Sequence, residues 1–470
     1  MESHLDLDSD PRFQFPDWDN PSETIKFTDF VDRTLLLHDF SSIKKFSLHW
    51  YWSENHLNAC KINSWISAVI KHKVEEISLF LHQLLPGSIP LALFTCKSLV
   101  TLELNIQPNI CLPEYISFPR LKRLKLCDVK FNDEWSNEQL FSSCLVLEDL
   151  VLKCCTFHMK NFCISIPALK LLTFENHYEQ EDCLKDCSLG IHAPSLIFLT
   201  YLGGVPKEFI LSAFPTLVEA QVSFLVDEYE YYYGQTWEQR IGHAAAISGF
   251  LRALEHVKHL SISDETLQAL SFADDRLNNL PTFHNVKQLT ITEEVDTDEI
   301  LYAVLKATPN VESLIFDRLI TPCYKEENEE EEECDNGNSK SAGDDDGVHN
   351  DESEVNHDNE ANNSVLVEGE NNQTTKNDGW ELDMVHIGHL FLHLKSVCFQ
   401  QFIGKAREMR WVKLILKNAK PLQTMIISCG TDTAVGFINP KSKEELMVEI
   451  PSFARASSSC VFKFSSFIDD

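Results

Sequence analysis

The stretch LVTLELNIQPNICLPEYISFPRLKRLKL, Leu99 to Leu126, begins and ends on the same six-residue pattern. LVTLEL and LKRLKL both place apolar side chains at positions one, four and six, with variable residues at two, three and five. Positions four and six are two residues apart. In a strand they point to one face and position five points to the other. The hexad recurs at Ile43, Val74, Leu99, Leu121, Leu147, Leu169, Leu196, Leu217, Val257, Val286, Val311, Leu394 and Leu422.

The third and fifth positions of these hexads test the pattern, because the apolar positions define it and they do not. Of these 26 residues 20 are polar or charged; the exceptions are Val151, Leu171, Phe198, Ile315, Cys398 and Ile426. Such alternation marks a strand with one buried face. The steps between successive hexad starts are 31, 25, 22, 26, 22, 27, 21, 40, 29, 25, 83 and 28. Most of these steps lie in or near the ~20–29 residue period of leucine-rich repeats.

The step of 83 contains an acidic tract, Tyr324 to Asp378, and without that tract the step becomes an ordinary 28. The tract therefore reads as an insertion into one repeat. From Tyr324 to Gly379 there are 19 acidic and 3 basic residues, half of the chain's net charge of −32. Such a composition cannot bury enough apolar area to offset its ordering entropy, so a disordered, self-repelling loop is expected. The step of 40 holds a helical length, TWEQRIGHAAAISGFLRAL, with Ile241, Ala245, Phe250 and Leu254 near one face. Further helices are expected in TDFVDRTLLLHD, NSWISAVIKHK, TDEILYAVLKATPN and EMRWVKLILKNAK, three of them with Asp, Asn or Thr near the start as a cap. Strand and helix alternating at this period predict an α/β leucine-rich-repeat solenoid. It would have a curved parallel sheet on one side and helices or irregular turns on the other.

The composition excludes several function classes. A net charge of −32 argues against nucleic acid as a partner, since phosphate binding needs a basic surface. Gly is 16 of 470, below the usual ~7%, which disfavours folds that cradle phosphates on Gly-rich turns. No run approaches the ~18 apolar residues of a membrane span. The start, MESHLDLDSD, has neither the basic nor the apolar region of a signal peptide. The 15 Cys, odd in number and mostly inside apolar strings, read as buried thiols in a reducing compartment. Cytoplasm or nucleus follows, without a choice between them.

Catalytic and metal motifs were weighed against simple structural roles. Cys154, Cys155, His158 and Cys163 are the best metal candidates by residue type. Adjacent Cys on a strand face opposite sides, so a structural role is favoured. Cys183 and Cys187 form a close pair with only Lys185 nearby to lower a thiol pKa, and structure is favoured there too. His386, His389 and His393 have apolar neighbours and read as partly buried core residues. G-x-S-x-G, G-x-x-x-x-G-K-[ST], G-x-G-x-x-G and H-E-x-x-H do not occur. No catalytic residue, metal or cofactor is expected, and the chain reads as a non-enzyme.

Two C-terminal segments, GKAREMRWVKLILKNAKPLQTMIIS and EELMVEIPSFARASSSCVFKF, resemble the FBD domain of the plant F-box/FBD/LRR-repeat proteins. The features shared are Glu408 before an apolar helix, Leu416 to Ala419, Leu422 to Ile427, and Phe453 to Cys460. FVDRTLLLHDFSSIKKFSL, INSWISAVI and CLVLEDLVLKCCTF look like early repeats of the same family. The sequence departs from the family pattern in two places. The F-box that opens most members is not recognisable, and FQFPDWDNPSETIKFTDFVDR resembles the region just after one. MVHIGHLFLHLKSV lacks the family's Pro-x-Cys-Leu step.

The resemblance implies a C-terminal FBD domain that caps the repeats. Residues 1–42 are then an N-terminal capping segment, 43–323 the repeats, 324–379 the insert, and 380–470 the FBD domain continuing the array. It also implies a non-catalytic recognition scaffold, either a substrate-binding subunit or F-box-less relative in a cullin–RING ubiquitin ligase, or a free-standing interaction protein. The expected partner is a protein target on the concave face. Docking to a Skp-type adaptor is doubtful without an F-box. The candidate contact residues are Lys45, Glu76, Glu103, Arg123, Lys125, Asp149, Phe198, Glu219, His259 and Gln288, whose mixed charges and one aromatic suit a protein partner.

Overall fold

The computed structural model describes residues 4–6, 21–37, 43–50, 59–81, 89–176, 184–225, 236–271, 280–294, 298–319, 387–430 and 441–466. The chain forms two units, Met1–Thr321 with Gly388–Asp470, and Pro322–Ile387. The expected acidic insert lies in the second, outside the described residues.

The first unit opens with β1 (His4–Asp6), α1 (Pro21–Leu37), β2 (Lys45–Trp50), α2 (Ala59–Lys71), β3 (Glu76–Leu81), β4 (Thr101–Cys111), β5 (Arg123–Phe131) and α3 (Glu134–Ser142). There follow β6 (Asp149–Lys153), β7 (Thr156–Phe157), β8 (Asn161–Ser165), β9 (Leu171–Glu175), β10 (Ser188–His192), β11 (Phe198–Gly203), β12 (Glu208–Leu211) and β13 (Glu219–Phe224). The remainder is α4 (Trp237–Ala253), β14 (His259–Ser263), α5 (Asp264–Ser271), β15 (Gln288–Glu294), α6 (Asp298–Ala307), β16 (Ser313–Arg318), β17 (Ser396–Phe402), α7 (Ala406–Asn418), β18 (Thr424–Cys429), α8 (Lys443–Glu449) and β19 (Val461–Ser466).

All thirteen hexads form strands of one parallel sheet, in sequence order from β2 to β18, with β1 and β19 added at its two ends. Two backbone devices recur along the repeats. The N–H of hexad position one closes a turn on the carbonyl three residues back, as in Leu121 to Phe118, Leu196 to Ala193, Leu217 to Phe214 and Val311 to Thr308, at 3.1–3.3 Å. Pro119, Pro194, Pro215 and Pro309 stand second in these turns, where their fixed φ suits the bend. The carbonyl of position two then accepts two successive N–H groups of the next strand. Lys44 accepts from Glu75 and Glu76, both at 2.9 Å, and Glu312 from Lys395 and Ser396 at 2.8 and 3.0 Å. The same doubled acceptance occurs at all twelve steps from β2 to β18. It fixes the register, so equivalent side chains form straight rows.

Two of these rows are the core. Position four runs Phe46, Ile77, Leu102, Leu124, Leu150, Leu172 and onward to Met425, none more than 2% exposed. Position six contributes to a chain of ring contacts from Phe131 through Phe157, Phe174 and Tyr201 to Phe224, with centroids 4.9–5.7 Å apart. Such contacts are worth ~0.5–1.5 kcal/mol each beyond burial. Tyr201 can be fully buried because its hydroxyl donates to the Gly204 carbonyl at 2.6 Å.

Between β6 and β13, where no helix is expected, the far side is more regular than the expected turns. A second parallel sheet, β8, β10 and β12, stands there. In β8 and β10 the sequence alternates as strands do, and Phe162, Ile164, Leu189 and Ile191 are buried. Elsewhere the expected helices form. Thr236 and Gln239 cap α4 reciprocally in a capping box. Phe462 and Phe464 of β19 continue the two core rows but are only half-buried, because no described strand covers the far edge of β19.

An aspartate joins helices at both ends of the unit. Asp32 of α1 accepts from the Trp65 indole at 2.7 Å and pairs with Lys61 of α2. Asp298 of α6 accepts from the Trp411 indole at 2.7 Å, from Arg407 at 2.9 Å and from Arg410 at 2.6 Å, all on α7. In each case a cation, Lys61 or Arg407, and the indole are four residues apart, about one helical turn. The second clamp, with β16 paired directly to β17, joins segments that lie on either side of residues 322–387 in the sequence.

Glu408 fixes the start of α7. Its carboxylate accepts from the backbone N–H of Lys405 at 2.8 Å and of Ile403 at 3.2 Å. Gly404 lies between them at φ +79°, and an added Cβ would meet Lys441 at 3.0 Å. Burial pushes the Glu408 carboxyl up to about 7, although these N–H donors pull it down.

Asp298→Ala would remove the carboxylate that pairs with the Arg407 guanidinium, 8% exposed, and that accepts from the Trp411 indole. A loss of about 3 kcal/mol is expected in urea unfolding. A carboxyl raised in the fold holds its proton more tightly than in the unfolded chain. The Glu408 contribution is therefore greatest below about pH 4.5 and is lost as pH rises to about 7. Glu408→Gln should flatten this slope when urea midpoints are compared at about pH 5 and about pH 8.

Candidate functional site

The sheet face opposite the core is lined by positions three and five of every hexad. All ten candidate contact residues lie on it. In the position-three row Lys45, Glu76, Thr101, Arg123, Asp149, Leu171, Phe198, Glu219, His259, Gln288, Ser313, Ser396 and Thr424 are successive register partners. The position-five row carries Glu103 beside Lys125. Register thus brings the ten together on one surface, although they span most of the sheet and do not form a single cluster.

The face divides chemically along its length. On β2–β6, six of the ten side chains in the two rows are charged. Lys125 pairs with Glu103, which also accepts from Ser78 at 3.0 Å. Burial opposes the charge on Lys125, but Glu103 outweighs it and the pKa is raised. Half-burial raises the Asp149 carboxyl, with Arg123 opposing. In the next row out Lys153 pairs with Glu175. Beside the strands, Glu148 lies between Lys122 and Lys170, and Glu312 between Lys287 and Lys395, which hold Glu312 down at about 2.

On β9–β18 the same two rows hold sixteen side chains, of which only Glu219 is an acid or base apart from His259, its neighbour at 3.6 Å. The rest are hydroxyl, amide, thiol and apolar side chains. Here sequence reasoning missed a signal that lay in its own exceptions. The six apolar residues at the variable positions are not scattered. Leu171 and Phe198 are direct partners, with Val151 on the adjoining strand. Ile315, Cys398 and Ile426 form one unbroken line across β16, β17 and β18. Leu171 is 41% exposed and the other five are half-buried.

Other expectations are corrected. Cys163 and Cys60 are exposed thiols, not buried ones, Cys163 because it points away from the core on β8. His389 and His393 are exposed as well, because Leu390, Phe391 and Leu394 take the buried positions of that turn. His386 and Cys183 lie outside the described residues. Cys155 is buried after β6, with its N–H and carbonyl both bonded to the Asn176 amide at 2.9 and 2.7 Å. Burial pushes its thiol well above the usual range, and those of Cys127 and Cys144 up to about 11. Among the described residues no group of three or more His, Cys, Asp or Glu is placed to hold a metal ion. No described helix is long and apolar enough to cross a membrane.

Comparison with known proteins agrees with this architecture. Residues 62–204 match the family described as FBD-associated F-box protein At5g56370, LRR repeats, and residues 386–427 match the FBD family. The F-box/LRR-repeat protein At4g14103 of Arabidopsis thaliana is 31% identical over 67% of this chain and 81% of its own length. The chain belongs to the plant F-box/FBD/LRR-repeat family. Two further Arabidopsis thaliana members are similar. The F-box/LRR-repeat protein At4g14096 is 31% identical over 63% of this chain and 60% of its own length. The FBD-associated F-box protein At4g13985 is 29% identical over 66% of this chain and 67% of its own length. The chain thus spans about three fifths of At4g14096. For this F-box/FBD/LRR-repeat chain, the FBD match covers the turn before β17, then β17, α7 and most of β18, so that segment continues the same sheet as the repeats.

The adjacent pair Leu171 and Leu172 tests the two faces. Leu171→Lys should change stability by no more than about 0.5 kcal/mol, as surface substitutions do. Leu172→Lys places a charge in a site that is 0% exposed and should abolish cooperative thermal unfolding.

Proposed function

We propose that this chain is a non-catalytic protein-recognition scaffold that holds a protein target on the exposed face of its long sheet, as a target-binding subunit in a cullin–RING ubiquitin ligase. The observation that carries the reading is the face itself. Thirteen hexad strands in register present two continuous rows of side chains, and the helices and the second sheet lie on the other side. A face ordered by backbone bonds needs little rearrangement on binding, which lowers the entropy lost on association. The F-box in the relatives' names supports the ligase context. A second reading, a free-standing interaction protein, is favoured by the two family matches, which fall on the repeats and the FBD segment. The compartment proposed is the cytoplasm or the nucleus.

A photo-crosslinking amino acid placed at Gln221, on the exposed face, should yield a discrete protein adduct in plant cells. The same probe at Lys306, exposed on α6, should not. Equal adducts from both positions would reject the face as the binding site. Gel filtration with a recombinant Skp-type adaptor separates the two readings: co-elution supports the ligase subunit, and separate elution the free-standing protein.

A further inference from the structure

We infer that the target is engaged by the uncharged part of the face, and that its contacting segment is an uncharged extended stretch with two apolar anchors. The inference rests on the sheet face being where the target binds. Two apolar patches stand there: Val151, Leu171 and Phe198 on β6–β11, and Ile315, Cys398 and Ile426 on β16–β18. Between them, β13–β15 offer Gln221, Ser261, Gln288 and Thr290, which can exchange hydrogen bonds with a backbone, and the one carboxylate in the two rows is Glu219.

Charge decides which part of the face is used. Binding on β2–β6 would strip water from six charged side chains, of which Lys125 and Glu103 are already paired with each other, and such exchange gives little net affinity. Binding on β9–β18 desolvates hydroxyls and apolar groups. Interface centres are depleted in charge and enriched in apolar anchors. In the two rows on β9–β18 a charged partner would meet no counter-charge but Glu219 and His259, while in the next row out Glu175 is already paired with Lys153 and Asp317 accepts from Gln401, so complementarity selects an uncharged one.

The spacing follows from the sheet. Phe198 and Ile315 lie on strands four steps apart. At about 4.8 Å per step they are separated by on the order of 20 Å, which roughly six extended residues span.

The test uses fluorescent Ser/Gly peptides of about 12 residues carrying two Leu anchors separated by about two, six or ten residues, with Glu- and Lys-bearing versions, titrated onto the intact chain. The uncharged peptide with the middle spacing should bind at least about tenfold more tightly than the others. That affinity should hold between about 0.05 and about 0.5 M NaCl. Phe198→Asp and Ile426→Lys should each abolish it, the milder Phe198→Ser should weaken it, and Lys125→Glu should leave it within about twofold; unchanged circular dichroism shows that these variants fold. Preference for a charged peptide, or loss on Lys125→Glu but not on Phe198→Asp, overturns the inference while the face stays in use. No binding by any peptide also overturns it, and the Gln221 crosslink then judges the face separately. Binding unmoved by every face variant overturns both.

Discussion

The structure depends on a carbonyl oxygen that accepts two hydrogen bonds. At each step from β2 to β18 the second residue of a hexad takes the N–H of two successive residues in the next repeat. A repeat of about 25 residues has no core of its own, because its strand offers apolar side chains on one face and little to cover them. The doubled bond places each new strand in register with the last, so Leu172 stacks on Leu150 and Phe174 on Leu152. Had register slipped by one residue, Leu171 and Thr173 would have pointed inward and the core row outward. Backbone hydrogen bonding and side-chain burial thus enforce each other.

This explains how the array tolerates variation behind the sheet. The far side is helical at α2, α4 and α6, and a second sheet at β8, β10 and β12. All the strand requires is an apolar surface at the right height, and both solutions provide one. The interruption between β16 and β17 is an extreme case. Ser313 and Ser396 are register partners although the whole of Pro322–Ile387 falls between them in the sequence, and Asp298 ties α6 to three side chains of α7. Entropy of closing a long loop grows only logarithmically with its length, so an array held on both sides can carry a long insertion at modest cost.

The candidate face has the same origin as the core. Any strand that buries positions four and six must expose three and five. Function can change those residues without disturbing the fold, and the split between the charged β2–β6 rows and the β9–β18 rows, where Glu219 is the one carboxylate, is written into positions that folding does not constrain.

The strands, their order and most of the helices are legible in the amino-acid sequence, because the hexad's period of two and the repeat spacing are local consequences of burial. So is the outward direction of the variable positions, Lys45 to Gln288 among them. The second sheet is not, since FCIS and LGIH are too short for periodicity to tell a strand from a turn. Nor is the Asp298 clamp, whose partners are distant in the chain, or the grouping of the six apolar exceptions. Those features depend on which side chains become neighbours when repeats stack, and adjacency between strands is a property of register, which exists only once the chain has folded.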